Sequence, residues 1–442
     1  MKAKNLRLIL AATTALGLGA ATQSFAQDSI YVPLMTYRTG PYAGSGIPIA
    51  DGMRDYLTML NERDGGIGGV RIEMDECETG YDTKKGLECY EQVKPKKPVV
   101  MNPWSTGITL SLIPKASVDK IPILSMAYGL SAAARGSVFP WVFNPPATYW
   151  DGFSQILQFI AAKEGGGVEK LKGKKIGYIF LDAGFGREPL PLIEQLSKDF
   201  GFTPTLYPVA GADMQNQSAQ WLNVRRDRPD YMIMFGWGAL NPTAIKEAAK
   251  INFPMDKFVS IWWVGEDDLK SAGDGSKGFR ELNWHAVGAD FPALKDIQTY
   301  VVDKGKSQSP KNKVGSNLYN RGLYNSMLIA EAIVNAQKIT GKKVVTGEDV
   351  RRGFETLNVD EARLKQIGLG GFSGPVKLSC ADHNGHFPTY VQRWDGEKFI
   401  KDSDWIKPMS EKIDPLLEAD AKSYAEKNAP WPVRTEACDS KS

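Results

Sequence analysis

The sequence predicts an α/β protein built as two doubly wound lobes. Three observations predict it. Strand-like and helix-like segments alternate along most of the chain. They fall into two sets, one ending near Phe143 and one starting at Lys175, separated by the proline-rich crossover Phe143-Asn144-Pro145-Pro146-Ala147-Thr148. Short apolar strands run into turns of small and hydroxylated residues, most clearly in the stretch Val99 to Ser131. Alternating strands and helices bury a parallel sheet on both faces, and two such sets give two lobes.

The amino terminus reads as an export signal. Lys2, Lys4 and Arg7 precede an apolar run from Leu8 to Ala21 and the small-x-small site Ser24-Phe25-Ala26, so residues 1–26 read as a signal peptide cleaved before Gln27. No later stretch approaches ~20 apolar residues, so a soluble, exported protein is expected. The 442-residue chain has 54 basic and 51 acidic residues, and the signal carries three basic and no acidic ones. The mature charge is therefore balanced, which argues against nucleic acid or an anionic membrane surface as partner.

Ile30 to Met35 is an apolar strand leading through Thr36–Gly46 into a helix whose Ile49, Met53, Tyr56, Leu57 and Leu60 share one face. Gly65-Gly66-Ile67-Gly68-Gly69 stops it, and Val70, Ile72 and Met74 alternate with charged residues as a half-exposed strand. Asp82 caps a helix that runs to about Lys94. Val99 to Met101 is a strand, Ile108 to Val118 a helix and Pro122 to Leu124 a strand, leaving the turns Trp104-Ser105-Thr106-Gly107 and Ser125-Met126-Ala127-Tyr128-Gly129 side by side. Strand carboxyl ends are where open α/β sheets bind ligands, and a helix amino terminus there offers N–H groups to an anion. Ser105 and Thr106 either cap that helix or hold a ligand.

Tyr149 to Ala162 is helical. Beyond it come strand Lys175–Leu181, helix Glu188–Phe200, strand Pro204–Tyr207, a helix containing Trp221, strand Tyr231–Phe235, helix Pro242–Ile251 and strand Phe258–Val264. From Asn283 to Gly288 the chain crosses back, because the helix Asn317–Thr340 is too apolar to stand without a sheet face. Gly341 ends that helix, and Thr346 to Asp349 forms a capping box for the next. Val376–Leu378, Tyr390–Trp394 and Phe399–Ile400 are strands, the last two joined by a tight Asp395-Gly396 turn. Beyond Pro408 a helix and tail wrap the body.

Four cysteines in an exported chain imply two disulfides, Cys77 with Cys89 and Cys380 with Cys438. A metal site on Cys380, His383 and His386 is the competing reading, weakened by the lack of a second ligand cluster; no metal and no cofactor is expected. No nucleophile elbow, phosphate loop or zinc-protease motif is present, and the glycine run at 65–69 follows a helix rather than a strand. Glu266-Asp267-Asp268 is the one acidic cluster, suited to a helix start, a cation or a hydrolase. Tyr37, Tyr42, Trp104, Tyr128, Tyr149, Trp150, Phe185, Trp237, Trp262 and Trp263 gather at strand ends and crossovers, as in a cleft for an amphipathic guest.

Thr39-Gly40-Pro41, the Ser105-Thr106 turn, Ile123-Leu124-Ser125, Phe185-Gly186 and Gly265-Glu266 together, in this order and spacing, resemble the type I periplasmic binding proteins, the group of the leucine/isoleucine/valine-binding protein. The resemblance implies two doubly wound α/β lobes joined by three crossovers, with the ligand cleft between them. Lobe I would be residues 27–147 and 287–372, lobe II residues 148–286 and 373–410, and the tail residues 411–442. It also implies a non-catalytic, monomeric periplasmic receptor that delivers a small molecule to the permease subunits of an ABC importer.

Carried over residue by residue, Trp104, Ser105, Thr106, Ala127 and Tyr128 would meet the ligand on one side and Phe185, Trp237 and Glu266 on the other, with Tyr149 at the crossover belonging to either lobe. Gly129 stands where amino-acid receptors of this group place a hydroxyl, and Ser45 where they often carry an aromatic residue. The first departure weakens the case for an amino acid and, together with Trp104 and Tyr128, favours a small carboxylate with an apolar or aromatic body, such as a benzoate- or cinnamate-like acid; a branched-chain amino acid, or an amide or urea, is the alternative. A ligand sensor for a signalling partner and a secreted hydrolase using Glu266 or Asp267 are the rival classes.

Overall fold

The computed structural model describes residues 29–435 and Cys438; the expected signal peptide lies outside them. Two separate α/β lobes are present. The first sheet is parallel and made of very short strands. Arg71–Glu73 and Glu76–Glu78 pair with Ser29–Tyr31 and Leu34–Thr36. Next come the Val99–Met101 segment, then Ile123–Leu124 and Val142–Phe143. Pro33, which has no N–H, interrupts the first strand, although Val32 and Leu34 still donate to the carbonyls of Glu73 and Asp75. The expected strand at Val99 shrinks to a single bridge between Met101 and Ile123.

The second sheet has seven strands, in the order Phe399–Lys401, Tyr390–Trp394, Arg280–Asn283, Phe258–Ser260, Tyr231–Phe235, Lys175–Leu181 and Thr203–Val209. Tyr390–Trp394 runs antiparallel to both its neighbours, Arg280–Asn283 and Phe399–Lys401, in an otherwise parallel sheet. Arg280–Asn283 has no apolar alternation to announce it, because its buried Glu281 and Asn283 serve a polar network. The strand expected at Phe258–Val264 ends at Ser260, leaving Trp263 beyond it to line the cleft. The helix expected from Glu188 begins at Leu190, after a separate turn of helix Gly184–Arg187. The expected two-residue hairpin turn is a four-residue loop, with Trp394 facing Phe399 and the Asp395 carboxylate accepting from the N–H groups of Glu397 and Lys398.

The chain passes between the lobes three times, near residues 143–149, 283–288 and 378–389. After the second passage the helix Asn317–Thr340 packs on Ala43–Asp64 of the first lobe. Glycine permits their close approach: a Cβ on Gly52 would lie 2.0 Å from the Tyr319 carbonyl oxygen, and one on Gly322 2.0 Å from that of Ile49. Gly322→Ala is therefore expected to lower stability by about 1–3 kcal/mol in urea unfolding, the usual cost of overpacking. An unchanged midpoint would show that the helices separate freely.

The carboxyl-terminal helix Ser410–Lys427 touches both lobes, with Arg135 on Asp414 and Glu418 and Lys412 on Asp199. Both expected disulfides form, Cys77–Cys89 and Cys380–Cys438. Cys380 is thereby removed from any ligand set. His383 Nδ1 bonds the Val142 carbonyl and His386 Nδ1 the Asp151 carboxylate, so the two rings are held apart by different partners. Among the described residues no helix is long and apolar enough to cross a membrane.

Candidate functional site

Strand ends and helix starts supply every wall of the cleft. Ser105 is the N-cap of helix Thr106–Asp119, and its hydroxyl accepts from the Ile108 N–H at 3.4 Å. With the cap supplied by Ser105, Thr106 stands at the first helical position, where the N–H groups of the first turn have no acceptor within the helix. Trp104 is held at a positive φ of 53°, costly for a bulky residue. Its N–H donates to the Tyr128 hydroxyl at 2.8 Å, and its indole N–H points to Met53 Sδ at 2.7 Å. The Tyr128 hydroxyl in turn donates to the Leu124 carbonyl, leaving the Tyr128 ring face for the cleft.

From the other side, Tyr149 opens a helix capped by Thr148 and Asp151 and accepts from the Trp263 indole N–H at 3.1 Å. Phe185, Trp237 and Trp263 each lie just past a parallel strand, the carboxyl edge expected to bind ligand. Tyr81 lies past Glu76–Glu78 in the same way. Tyr81, Trp104, Thr106, Tyr128, Tyr149, Phe185, Trp237 and Trp263 together line a tightly packed cavity of about 10 Å³.

The rings interlock. Trp237 meets Trp263 edge to face at 5.0 Å, Trp104 meets Trp263 at 6.3 Å, and Tyr149 packs on Phe185 at 4.9 Å. No charged side chain lines the cavity. Burial holds the phenols of Tyr81, Tyr128 and Tyr149 well above their ordinary pKa, so they stay neutral hydrogen-bonding groups. The positive end of helix Thr106–Asp119 is then the main fixed electrostatic feature of the wall. Such a wall can pack on an apolar body and orient a polar group at the helix start.

Of the residues singled out from sequence, Trp104, Thr106, Tyr128, Tyr149, Phe185 and Trp237 meet at the cavity, and Ser105, Ala127 and Glu266 do not line it. Ser105 is committed to its cap. Ala127, at φ 55°, turns its carbonyl to accept from the Trp262 indole N–H at 3.1 Å across the cleft. Glu266 accepts from the Asn317 N–H at 2.8 Å, capping the long helix from a separate groove, and Asp267 beside it pairs with Lys313. Asp268 is also committed: it accepts from the Gly265 N–H, and burial pushes it up to about 7. Trp263, one of the strand-end aromatics, also lines the cavity, and Tyr81 lines it without having been singled out. The strand-edge rule covers Tyr81, but the Gly80-Tyr81 turn, both at positive φ, masks it.

The family model described as "Periplasmic binding protein" matches residues 29–399. A solved ABC transporter permease from the Pseudomonas fluorescens group is 38% identical, with a TM-score of 0.85 over 93% of this chain and 100% of that one. A branched-chain amino acid ABC transporter protein from Thermus thermophilus with bound valine is 19% identical, with a TM-score of 0.73 over 88% and 99%. A solute-binding protein from R. palustris in complex with benzoate is 18% identical, with a TM-score of 0.64 over 86% and 97%. No curated protein matches. Two lobes around a cleft between parallel strand ends, and a family match across nearly the whole described chain, lead to one conclusion: this protein belongs to the periplasmic binding protein family.

Proposed function

We propose that this receptor captures a small carboxylate with an aromatic or apolar body and presents it to an ABC permease. Family membership carries the coarser part: a substrate-binding class that acts outside the cytoplasm with a permease. The observation that carries the finer part is a cavity walled by seven aromatic rings and one threonine, with no charged side chain. An α-amino acid would bury its ammonium there without a carboxylate, at a cost of several kcal/mol. A carboxylate alone is met by the Thr106 hydroxyl and the first-turn N–H groups of its helix, while the rings pack on the body. The benzoate complex of the R. palustris relative supports this reading; the valine complex of the T. thermophilus relative supports the alternative.

On this reading the lobes comprise residues 27–147 with 287–372 and 148–286 with 373–410, and the receptor works as a periplasmic monomer. Ligand would bridge Trp104, Thr106 and Tyr128 on one side to Phe185, Trp237 and Trp263 on the other. Only contacts made to both lobes at once favour the closed state.

Calorimetry of the mature protein with benzoate, benzamide and valine tests the proposal. Benzoate is expected to bind saturably and benzamide more weakly. Thr106→Val is expected to weaken benzoate roughly 10- to 100-fold, the worth of a hydrogen bond to a charged group. Valine binding with no response to benzoate would overturn the proposal.

A further inference from the structure

Glu188 belongs to the second lobe, directly after Phe185, Gly186 and Arg187, yet its carboxylate serves the first. Its Oε1 accepts from the Ser131 N–H at 2.5 Å, and its backbone carbonyl is fixed by the Trp150 indole N–H at 2.9 Å. The other carboxylate oxygen lies over Gly129, where a Cβ would come within 2.4 Å of Glu188 Oε2 and 2.8 Å of Thr106 Cγ2. Gly129 has an ordinary negative φ, so glycine is required here by space alone. The socket is one side chain away from the cavity, since Thr106 lines both.

We propose that Glu188 is the latch of the closed cleft and Gly129 its socket: the carboxyl seats on the Ser131 N–H only when the lobes meet, positioning the Thr106 wall. The proposal rests on the reading that this receptor works by lobe closure. It gives Gly129 a physical role, since the space a side chain would fill on the first lobe is taken by a carboxyl from the second.

A carboxyl enclosed between lobes couples closure to protons. Burial pushes Glu188 up to about 7 from an ordinary value of 4.5, and the Asp420 carboxylate on the carboxyl-terminal helix adds to the shift. Asp420 is itself raised by burial, with Lys427 opposing. Arg187, on Glu188's own segment, pairs with Asp182. Tyr149 and Tyr178 face it as neutral phenols. The first-lobe segment Ser125–Ser131 and the start of helix Thr106–Asp119 present no ionisable side chain other than the Tyr128 phenol, also held neutral. Opening returns the carboxyl to water, so the closed state binds more protons between about pH 4.5 and 7. Closure is thus favoured as pH falls through 7, and the gain is complete below 4.5.

The test is fluorescence energy transfer between dyes on the two lobes of the ligand-free mature protein, from pH 5 to 8.5. The closed-to-open ratio is expected to rise roughly tenfold or more from pH 8 to pH 5. Glu188→Gln, which keeps an acceptor for Ser131, is expected to stay closed with no pH response. Gly129→Ala is expected to shift the protein open at every pH. A pH response that survives in Glu188→Gln, or a Gly129→Ala protein that closes like wild type, would overturn the proposal. No solute is added, so an intact latch response in a protein that ignores benzoate supports the latch while refuting the solute assignment.

Discussion

Arg321→Met is expected to lower the unfolding free energy by about 3–5 kcal/mol, the usual cost of removing one member of a buried charged network. Arg321 is completely buried on the long helix. It donates to the Trp262 carbonyl, to Asn283 Oδ1 at 2.8 Å and to His285 Nε2 at 2.6 Å, and its guanidinium stacks 3.9 Å above the Trp284 ring. Its charge is balanced by Glu281, which accepts from the Val264 N–H, Asn317 and Gln392. Burial drives both groups toward neutrality, Arg321 downward and Glu281 upward, and each charge opposes the shift of the other.

His285 completes the set as a neutral ring. Burial, then the Arg321 charge, pushes its pKa down, and with Nε2 accepting, the proton sits on Nδ1 and donates to the Ala286 carbonyl. Methionine keeps volume but leaves the Trp262 carbonyl, Asn283 and Glu281 without their cation. Adding Glu281→Gln is expected to recover part of the loss, since the two sites are coupled. Urea unfolding decides it: a loss under about 1 kcal/mol for Arg321→Met would show that the network is solvated and of little weight.

Trp104→Ala is expected to weaken benzoate at least ~30-fold, about 2 kcal/mol, the threshold for a central aromatic anchor. Trp104 contributes more than surface. Its ring is the partition between the ligand cavity and a second buried cavity of about 10 Å³, lined by Leu34–Tyr37, Gly46, Ile49, Ala50 and Met53. Truncation joins the two, so the variant should prefer a longer aromatic acid such as naphthoate. Calorimetry with both acids reads the change; equal weakening of both would mean that the partition does not set ligand length.

Elements announced by local chemistry were legible in the chain. Strands Lys175–Leu181, Tyr231–Phe235 and Tyr390–Trp394, helix Asn317–Thr340 with Gly341 beyond it, the Asp82 cap and the Thr346–Asp349 box stand where periodicity and capping put them. Segments that answer to distant partners were not. Arg280–Asn283 looks like a polar loop because Glu281 and Asn283 are buried for Asn317, Arg321 and Gln392, up to 111 residues away. Glu266 looks like a ligand's counter-charge because an acidic residue after a strand fits that role and a helix cap equally. The choice is made by Asn317, 51 residues later.

By itself, then, the sequence determined two lobes, their helices and most strands, and an aromatic character for the residues at the strand ends. All of these arise from side-chain period, caps and turn residues, which act within a few positions of one another. Only the tertiary structure decided that Ser105 caps while Thr106 faces the cavity, that Tyr81 and Trp263 join the wall, and that Glu188 reaches Ser131 over Gly129. Those outcomes depend on which side chains meet when two lobes close, and contacts between residues so far apart in sequence leave no periodic trace in the chain.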